Sequence, residues 1–236
     1  MQTKYKRIIL KLSGEALAGN KGFGLDEEII AQVVNQIIEV HKLGVEIGII
    51  IGGGNFWRGR QGTNMDRTTA DHMGMLATVI NSLAMQDAIE QKGIETRVQT
   101  ALNMTSVAEP FILRKALEHF KHGRIVIFAC GTGNPYCSTD TGAALRAAEV
   151  GADVMLLAKN VDGIYDSDPK RNPNAKKYDK ITFIDVINKG LKAMDTTAIT
   201  MCMENNIPVL AFSLAEKDGI IKAVYGEKTG TLIVNE

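Results

Sequence analysis

The chain has 236 residues, enough for one large hydrophobic core or two small ones. Hydrophobic residues make up 45% and charged residues 23%, ordinary globular usage that excludes disordered and collagen-like classes. The 27 basic and 27 acidic residues cancel, so the basic excess of a nucleic-acid coat is absent, and an anionic ligand must be held by local charges and backbone dipoles. Three cysteines, Cys130, Cys137 and Cys202, show no CxxC spacing and suit a reducing compartment. The apolar run Ile8 to Leu10 is too short for a leader core, and no run approaches the ~18 residues that span a bilayer. The expectation is a cytoplasmic protein with neither a membrane nor a nucleic-acid partner.

Residues 6–12 read as a buried strand. Ile29, Val33 and Ile37, with Ile30, Val34 and Ile38, repeat at four-residue spacing and predict an amphipathic helix over 26–43, with Asp26 as N-cap and Gly44 just past its end. Val45 to Ile51 predicts a second buried strand, and Met73, Leu76, Ala77, Ile80, Leu83 and Ala84 carry a helix over 69–92. Strands follow near 94–99, 124–129, 152–158 and 207–212, with helices near 110–120, 138–150 and 183–205. Thr231 to Val234 is expected as a last strand on an edge. Apolar strands alternating with helices predict a three-layer α/β fold, a mainly parallel twisted sheet between helices. No linker or repeat interrupts the pattern, so 1–236 reads as one domain, at most with two lobes sharing the sheet.

In such sheets ligands bind beyond the carboxyl ends of the strands. That rule selects residues 11–24, 52–60, 130–141 and 159–174. In the first, Lys11 sits at the end of an apolar strand, followed by Leu12, Ser13 and Gly14. A lysine there either snorkels outward or meets an anionic partner such as ATP phosphates, with Ser13 and Gly14 offering backbone N–H groups. Gly14 and Gly19 approach a P-loop spacing, but Asn20 stands where that motif needs lysine. In the second segment, Gly52, Gly53 and Gly54 let a ligand approach the backbone, and Trp57 breaks the dinucleotide-binding fingerprint. Arg58 and Arg60 follow; an arginine fork matches phosphate oxygens, and Arg58 is the expected ligand contact. Asp71 begins the next helix as either a first-turn carboxylate or an acceptor for ribose hydroxyls.

The third segment runs Gly131-Thr132-Gly133-Asn134-Pro135-Tyr136-Cys137-Ser138-Thr139-Asp140-Thr141, from a strand into a helix starting near Thr139, whose positive end suits an anion. Asp140 can cap that helix, but neighbouring hydroxyls can do so too, which leaves it to hold a lysine or Mg²⁺. The fourth, Lys159-Asn160 through Asp168-Pro169, fails the calcium-loop pattern, and Tyr165 offers a face for a purine ring. His119 and His122 lie three apart near a helix end and read as helix-terminal polar residues rather than zinc ligands. The methionines Met73, Met75 and Met85 read as filler of core or interface.

The runs KLSGEAL (11–17), IGGGNFWRG (51–59), DHMGMLAT (71–78), GTGNPYCSTDTGAALRA (131–147) and KNVDGIYDSDP (159–169) resemble the amino acid kinase family and, within it, the bacterial-type uridylate (UMP) kinases. The resemblance implies a cytoplasmic homohexamer that makes UDP from UMP and Mg²⁺·ATP for pyrimidine nucleotide synthesis. It implies ATP contacts at Lys11, Leu12, Ser13, Gly14, Gly54, Arg58, Tyr165 and Asp168, with an adenine contact at Lys159 or Asn160. UMP contacts fall on Gly53, Asp71 and the run Thr132, Gly133, Asn134, Pro135, Tyr136, Cys137, Ser138 and Thr139. In regulated members the stretch matching Gly19, Asn20, Lys21, Gly22, Phe23 and Gly24 takes part in activation by GTP, and UTP inhibits. Cys137 departs from the aromatic residue usual in the family. The acceptor phosphate is already largely ionised at neutral pH, so no general base is needed, and Lys11, Arg58 and Asp140 are the expected catalytic residues. The alternatives are another family member acting on a carboxylate or carbamate, which would not need Asp71 and residues 132–139 as a wall for a nucleoside, and a nucleotide-binding sensor or storage protein without turnover, against which Lys11, Arg58 and Asp140 together argue.

Overall fold

A computed structural model of the chain describes residues 2–58, 64–169 and 171–236. Gly59 and Arg60 lie outside the described residues. Among those described, nine strands form one sheet in the order β4-β3-β5-β2-β1-β6-β8-β9-β7. They are β1 (Arg7–Leu12), β2 (Glu46–Ile51), β3 (Thr96–Thr100), β4 (Glu109–Pro110), β5 (Ile125–Ala129), β6 (Val154–Lys159), β7 (Lys180–Thr182), β8 (Val209–Ser213) and β9 (Thr231–Val234). The strands from β4 to β8 in that order are mutually parallel, whereas β9 runs antiparallel to β8 and carries β7 parallel to itself. The helices are α1 (Gly14–Leu17), α2 (Glu27–Lys42), α3 (Arg67–Glu90), α4 (Leu113–Lys121), α5 (Thr139–Val150), α6 (Phe183–Asn188), α7 (Thr196–Glu204) and α8 (Gly219–Tyr225).

Side chains of successive strand residues point to opposite faces. Ile8, Leu10 and Leu12 of β1, with Val154, Leu156 and Ala158 of β6, enter the core shared with α2, α3 and α8. Ile9 of β1 with Met155 and Leu157 of β6 enter the other core, built with Ala143, Ala144 and Ala147 of α5 and Ala198, Ile199 and Cys202 of α7. The same alternation puts Lys11 and Lys159 at the carboxyl ends of adjacent strands, both on the α5 face. Both cores carry fully buried branched and aromatic side chains, each worth about 1.5–3 kcal/mol of transfer free energy.

The Asp26 cap is present: its side chain accepts from the N–H groups of Glu28 and Ile29, and Gly44 follows α2 with φ of 79°. Four sequence expectations need correction. The helix read over 183–205 is two, α6 and α7, parted near Gly190, whose φ of 60° ends the first. Thr231 to Val234 is not an edge strand, because β7 pairs outside it. The helix read from 110 begins at Leu113, since Glu109 and Pro110 form β4 beside β3. Finally, α3 begins at Arg67, capped by Asp66, whose side chain accepts from Thr69 N–H; Asp71 therefore stands in the second turn.

Candidate functional site

All the parallel strands deliver their following loops to one edge of the sheet, so the turns after β1, β2, β5 and β6 meet above β1 and its neighbours. The central contact there is an ion pair. Lys11 Nζ lies 2.7 Å from Asp140 Oδ1, with side chains only 12% and 18% exposed. Asp140 sits in the first turn of α5, and the capping task belongs to Ser138, whose hydroxyl accepts from Thr141 N–H. That frees Asp140 to face the strand ends. Lys159 completes the group: its ammonium donates to Ala193 O and feels both Asp140 and Lys11. Burial pushes Lys159 below the usual lysine range, Asp140 pulls it back up, and repulsion from Lys11 pushes it down again.

Beside this cluster opens a cleft of about 930 Å³ between the turn after β2, the first three turns of α3, the loop after β5 and the start of α7. Gly53 and Gly54 form one wall. A Cβ on Gly53 would stand 2.7 Å from the Gly74 carbonyl and 2.9 Å from Ala77, so only glycine lets the turn lie against α3. Arg58 reaches the cleft with its guanidinium 2.5 Å from Glu15 of α1.

The loop after β5 bends twice through left-handed backbone at residues other than glycine, Cys130 with φ of 65° and Tyr136 with φ of 67°. Each costs on the order of 1–3 kcal/mol unless the surroundings hold it. Helix α3 holds both. Cys130 N–H donates to Thr78 Oγ1 at 2.8 Å, and Tyr136 N–H donates to Asp71 Oδ2 at 2.8 Å. Seven residues apart, Asp71 and Thr78 share one face of the helix. Arg67 adds a second bond to Asp71 Oδ2 at 2.7 Å and lays its guanidinium 5.0 Å from the Tyr136 ring.

The structure thus gathers Gly53, Gly54, Arg58, Asp71, Thr132, Asn134, Tyr136, Cys137, Ser138 and Thr139 on one cleft, with Gly133 and Pro135 in the same loop. Lys11, Leu12, Ser13 and Gly14 lie at the neighbouring β1 turn; a Cβ on Gly14 would be 2.3 Å from the Gly52 carbonyl. Asn160, Tyr165 and Asp168 stand apart from that cleft, on the loop after β6, where Tyr165 Oη donates to Asp162 at 2.8 Å and Asp162 also meets Lys177 at 3.0 Å. The Asp162 carboxyl is held below its usual range by the Tyr165 bond first, with Lys177 adding to it against a counteracting burial. The stretch Gly19 to Gly24 forms a short 3₁₀ turn at Gly19–Lys21 and an exposed Phe23 whose ring meets Phe56 edge-on at 5.5 Å.

Two residues that sequence reasoning passed over belong to this site. Arg67 is one. The other is Asp195, which caps α7 through Ala198 N–H and accepts from the hydroxyls of Ser138 and Thr141, tying the start of α7 to the start of α5. His119 and His122 are occupied elsewhere, by Glu109 at 2.9 Å and by the Glu118 carbonyl at 2.8 Å. Among the described residues no group of three or more His, Cys, Asp or Glu side chains is placed to hold a metal ion, and no helix is long and apolar enough to cross a membrane.

The chain is similar to known kinases along nearly all its length. The model of the amino acid kinase family matches residues 6–213. The UMP kinase from Bacillus anthracis has a solved structure that superposes with a TM-score of 0.95 at 38% identity, covering 98% of this chain and 97% of that one. The UMP kinase from Ureaplasma parvum gives a TM-score of 0.93 at 38% identity, covering 98% and 100%. The uridylate kinase from Archaeoglobus fulgidus gives 0.73 at 27% identity, covering 96% and 99%. A family match over most of the chain, on a sheet whose strand ends assemble this cleft, makes the protein a member of the amino acid kinase family.

Proposed function

We propose that this protein transfers the terminal phosphoryl group of ATP to UMP, giving UDP and ADP, as a step in making pyrimidine nucleotides. The observation that carries the reading is the Lys11–Asp140–Lys159 cluster at the centre of the sheet edge, flanked by a nucleoside-sized cleft on one side and the Tyr165 loop on the other. The 38% identity over 98% of the chain to proteins solved as UMP kinases supports the choice of acceptor over a carboxylate or carbamate.

The two ammonium groups face a place where negative charge must be neutralised as phosphoryl transfer proceeds. Lys11 binds the transferring phosphoryl group from the strand end. Lys159, on the same sheet face, takes the donor side of the phosphates, a role suited to its depth and different from an adenine contact. Asp140 keeps the two cations in place and accepts no proton, since the acceptor phosphate, with a second pKa of about 6, arrives as a nucleophile. Arg58 swings from Glu15 to cover phosphate oxygens as the substrates bind. Asp71 offers Oδ1 to the ribose hydroxyls while Oδ2 holds the Tyr136 turn, and the run Thr132 to Thr139 lies along the base and sugar. Tyr165, Asn160 and Asp168 line the adenosine side, and Ser13 and Gly14 approach the phosphates through their backbone.

A Mg²⁺ ion fits the donor set here, which offers one shielded carboxylate beside a phosphate site, because that ion takes most of its oxygens from substrate phosphates and water. Asp140 would hold it through a water, and the ion would neutralise phosphate charge. The same reading carries a cytoplasmic homohexamer, activation by GTP through the turn Gly19 to Gly24, and inhibition by UTP. The exposed Leu76 and Ile80, one turn apart on α3, supply an apolar face for contact between copies.

The test is an ATP-consumption assay run in parallel with UMP, CMP, dUMP, aspartate, glutamate and carbamate. UMP is expected to exceed the amino acids and carbamate in kcat/KM by at least about 10³-fold, the discrimination open to a site whose polar groups go unpaired with the wrong ligand. Faster turnover of a carboxylate or carbamate would reverse the assignment.

A further inference from the structure

Behind the triple-glycine turn lies a pair of asparagines for which the phosphate chemistry above assigns no task. Asn55 and Asn81 are 2% and 0% exposed. Their amides bond reciprocally: Asn55 Nδ2 donates to Asn81 Oδ1 at 2.9 Å, and Asn81 Nδ2 donates to Asn55 Oδ1 at 2.8 Å. The remaining N–H of each amide goes to backbone. Asn81 donates to the Gly52 carbonyl at 2.7 Å, and Asn55 donates to the Gly24 carbonyl at 2.7 Å, while Gly24 N–H returns a bond to the Asn55 carbonyl at 3.1 Å. Every amide donor is used, and turning either amide over would set oxygen against a carbonyl, so the network has one orientation.

A buried apolar pair would fill this space without the desolvation of two amides. What the amides add is direction. In a trans peptide the C=O and N–H point oppositely, and cis bonds are absent among the described residues. Anchoring the Gly52 carbonyl to Asn81, on α3, therefore turns the Gly53 N–H away from the helix. Neither Gly53 nor Gly54 donates its N–H to any group among the described residues, although both line the cleft. Gly14 depends on the same anchor, since a Cβ there would stand 2.3 Å from the Gly52 carbonyl and 2.5 Å from Asn55 Oδ1.

We propose that Asn81 and Asn55 are positioning residues for phosphoryl transfer, which lock the Gly52–Gly53 peptide so that the Gly53 N–H is aimed at phosphate oxygens before any ligand arrives. This deepens the kinase reading and rests on it for the substrate. The pair touches no substrate and acts through the glycine turn. Without it the peptide is free to rotate, and the donor must be ordered at the moment of reaction.

The test compares Asn81→Leu, Asn55→Leu and the double variant Asn55→Leu/Asn81→Leu in the full chain, reading Tm, kcat, KM for ATP and UMP, and affinity for inorganic tripolyphosphate by calorimetry. Each single variant orphans the partner amide and is expected to lose both Tm and kcat. The double variant removes both amides together and is expected to regain most of the lost Tm, because replacing both partners with apolar groups is nearly neutral. Its kcat is expected to stay at least about 30-fold below wild type, and its tripolyphosphate affinity about tenfold weaker, the scale of one or two lost charge-assisted hydrogen bonds. Recovery of kcat and tripolyphosphate affinity together with Tm would reduce the pair to packing and overturn the proposal. If leucine blocks folding, Asn55→Ala/Asn81→Ala set against its two single alanine variants supplies the same comparison. Tripolyphosphate binding keeps this test separate from the assay above: wild-type protein that binds it through this turn but leaves UMP unphosphorylated would defeat the kinase assignment alone.

Discussion

Lys11 is usable because strand alternation sends it to the α5 face, where Asp140 meets it in the first helical turn at 2.7 Å. A cation placed there contributes where charge moves, so Lys11→Ala is expected to lower kcat by roughly 10²–10³-fold, the usual loss for one preorganised donor, and to change KM for ATP by less than about threefold. Steady-state kinetics decide it, and an unaltered kcat would take Lys11 out of the mechanism. Asp140→Asn keeps the size of the side chain but releases the hold on two ammonium groups; phosphoryl transfer is expected to slow while UMP affinity persists. Lys11, Asp140 and Arg58 could be singled out in the sequence because a charged residue at the end of an apolar run, or after three glycines, is locally conspicuous. Lys159 was visible only as a member of a loop. Its real position follows from parity, since it shares a face with Met155 and Leu157 of β6 as Lys11 does with Ile9 of β1. Asp195 and Arg67 left no comparable local trace. Asp195 gains its partners from residues 54 and 57 positions away, and Arg67 gains its meaning from a tyrosine on another loop.

Among the elements, α3 organises most of the cleft. Its Asp71 and Thr78 hold the two left-handed residues of the loop after β5, its Asn81 anchors the glycine turn, and its Gly74 carbonyl lies against Gly53. Asp71→Ala is expected to raise KM for UMP about 10- to 150-fold, the equivalent of a hydrogen bond to a charged group, because it loses both the proposed ribose contact and the anchor of Tyr136. KM for ATP should move far less; equal loss for both nucleotides would contradict the ribose assignment. The existence of the long helices was legible from their periodicity, and the start of α5 from its run of hydroxyls. Boundaries failed where tertiary pairing overrode the pattern: Glu109 and Pro110 leave the helical reading because β3 recruits them, and the continuous apolar period from 183 to 205 conceals a turn at Gly190. The edge position expected of Thr231–Val234 failed for the same reason, since the three residues of β7 are too few to announce a strand.

For the molecule as a whole, Cys202 reports on the integrity of the second core. Burial pushes its thiol up to about 12, and Asp140 and Asp195 push in the same direction. A thiol raised above its ordinary 9.0 favours the folded state fully below that value, and the contribution is lost as the pH climbs from there through about 12. Unfolding melts followed from pH 8 to 11 are therefore expected to show a falling Tm, and Cys202→Ala should flatten that decline while creating a small cavity. At pH 8, alkylation monitored by mass spectrometry should label the exposed Cys137 and spare Cys202 until the fold opens. The charge arrangement at the centre of the sheet edge has a wider consequence. Among the described residues Lys11 pairs with Asp140, while Lys159, bonded to the Ala193 carbonyl, is attracted by Asp140 and repelled by Lys11. On the proposed kinase reading, a polyphosphate arriving there would add the countercharge that eases this repulsion, so its binding is expected to raise the Tm as well as to orient the donor.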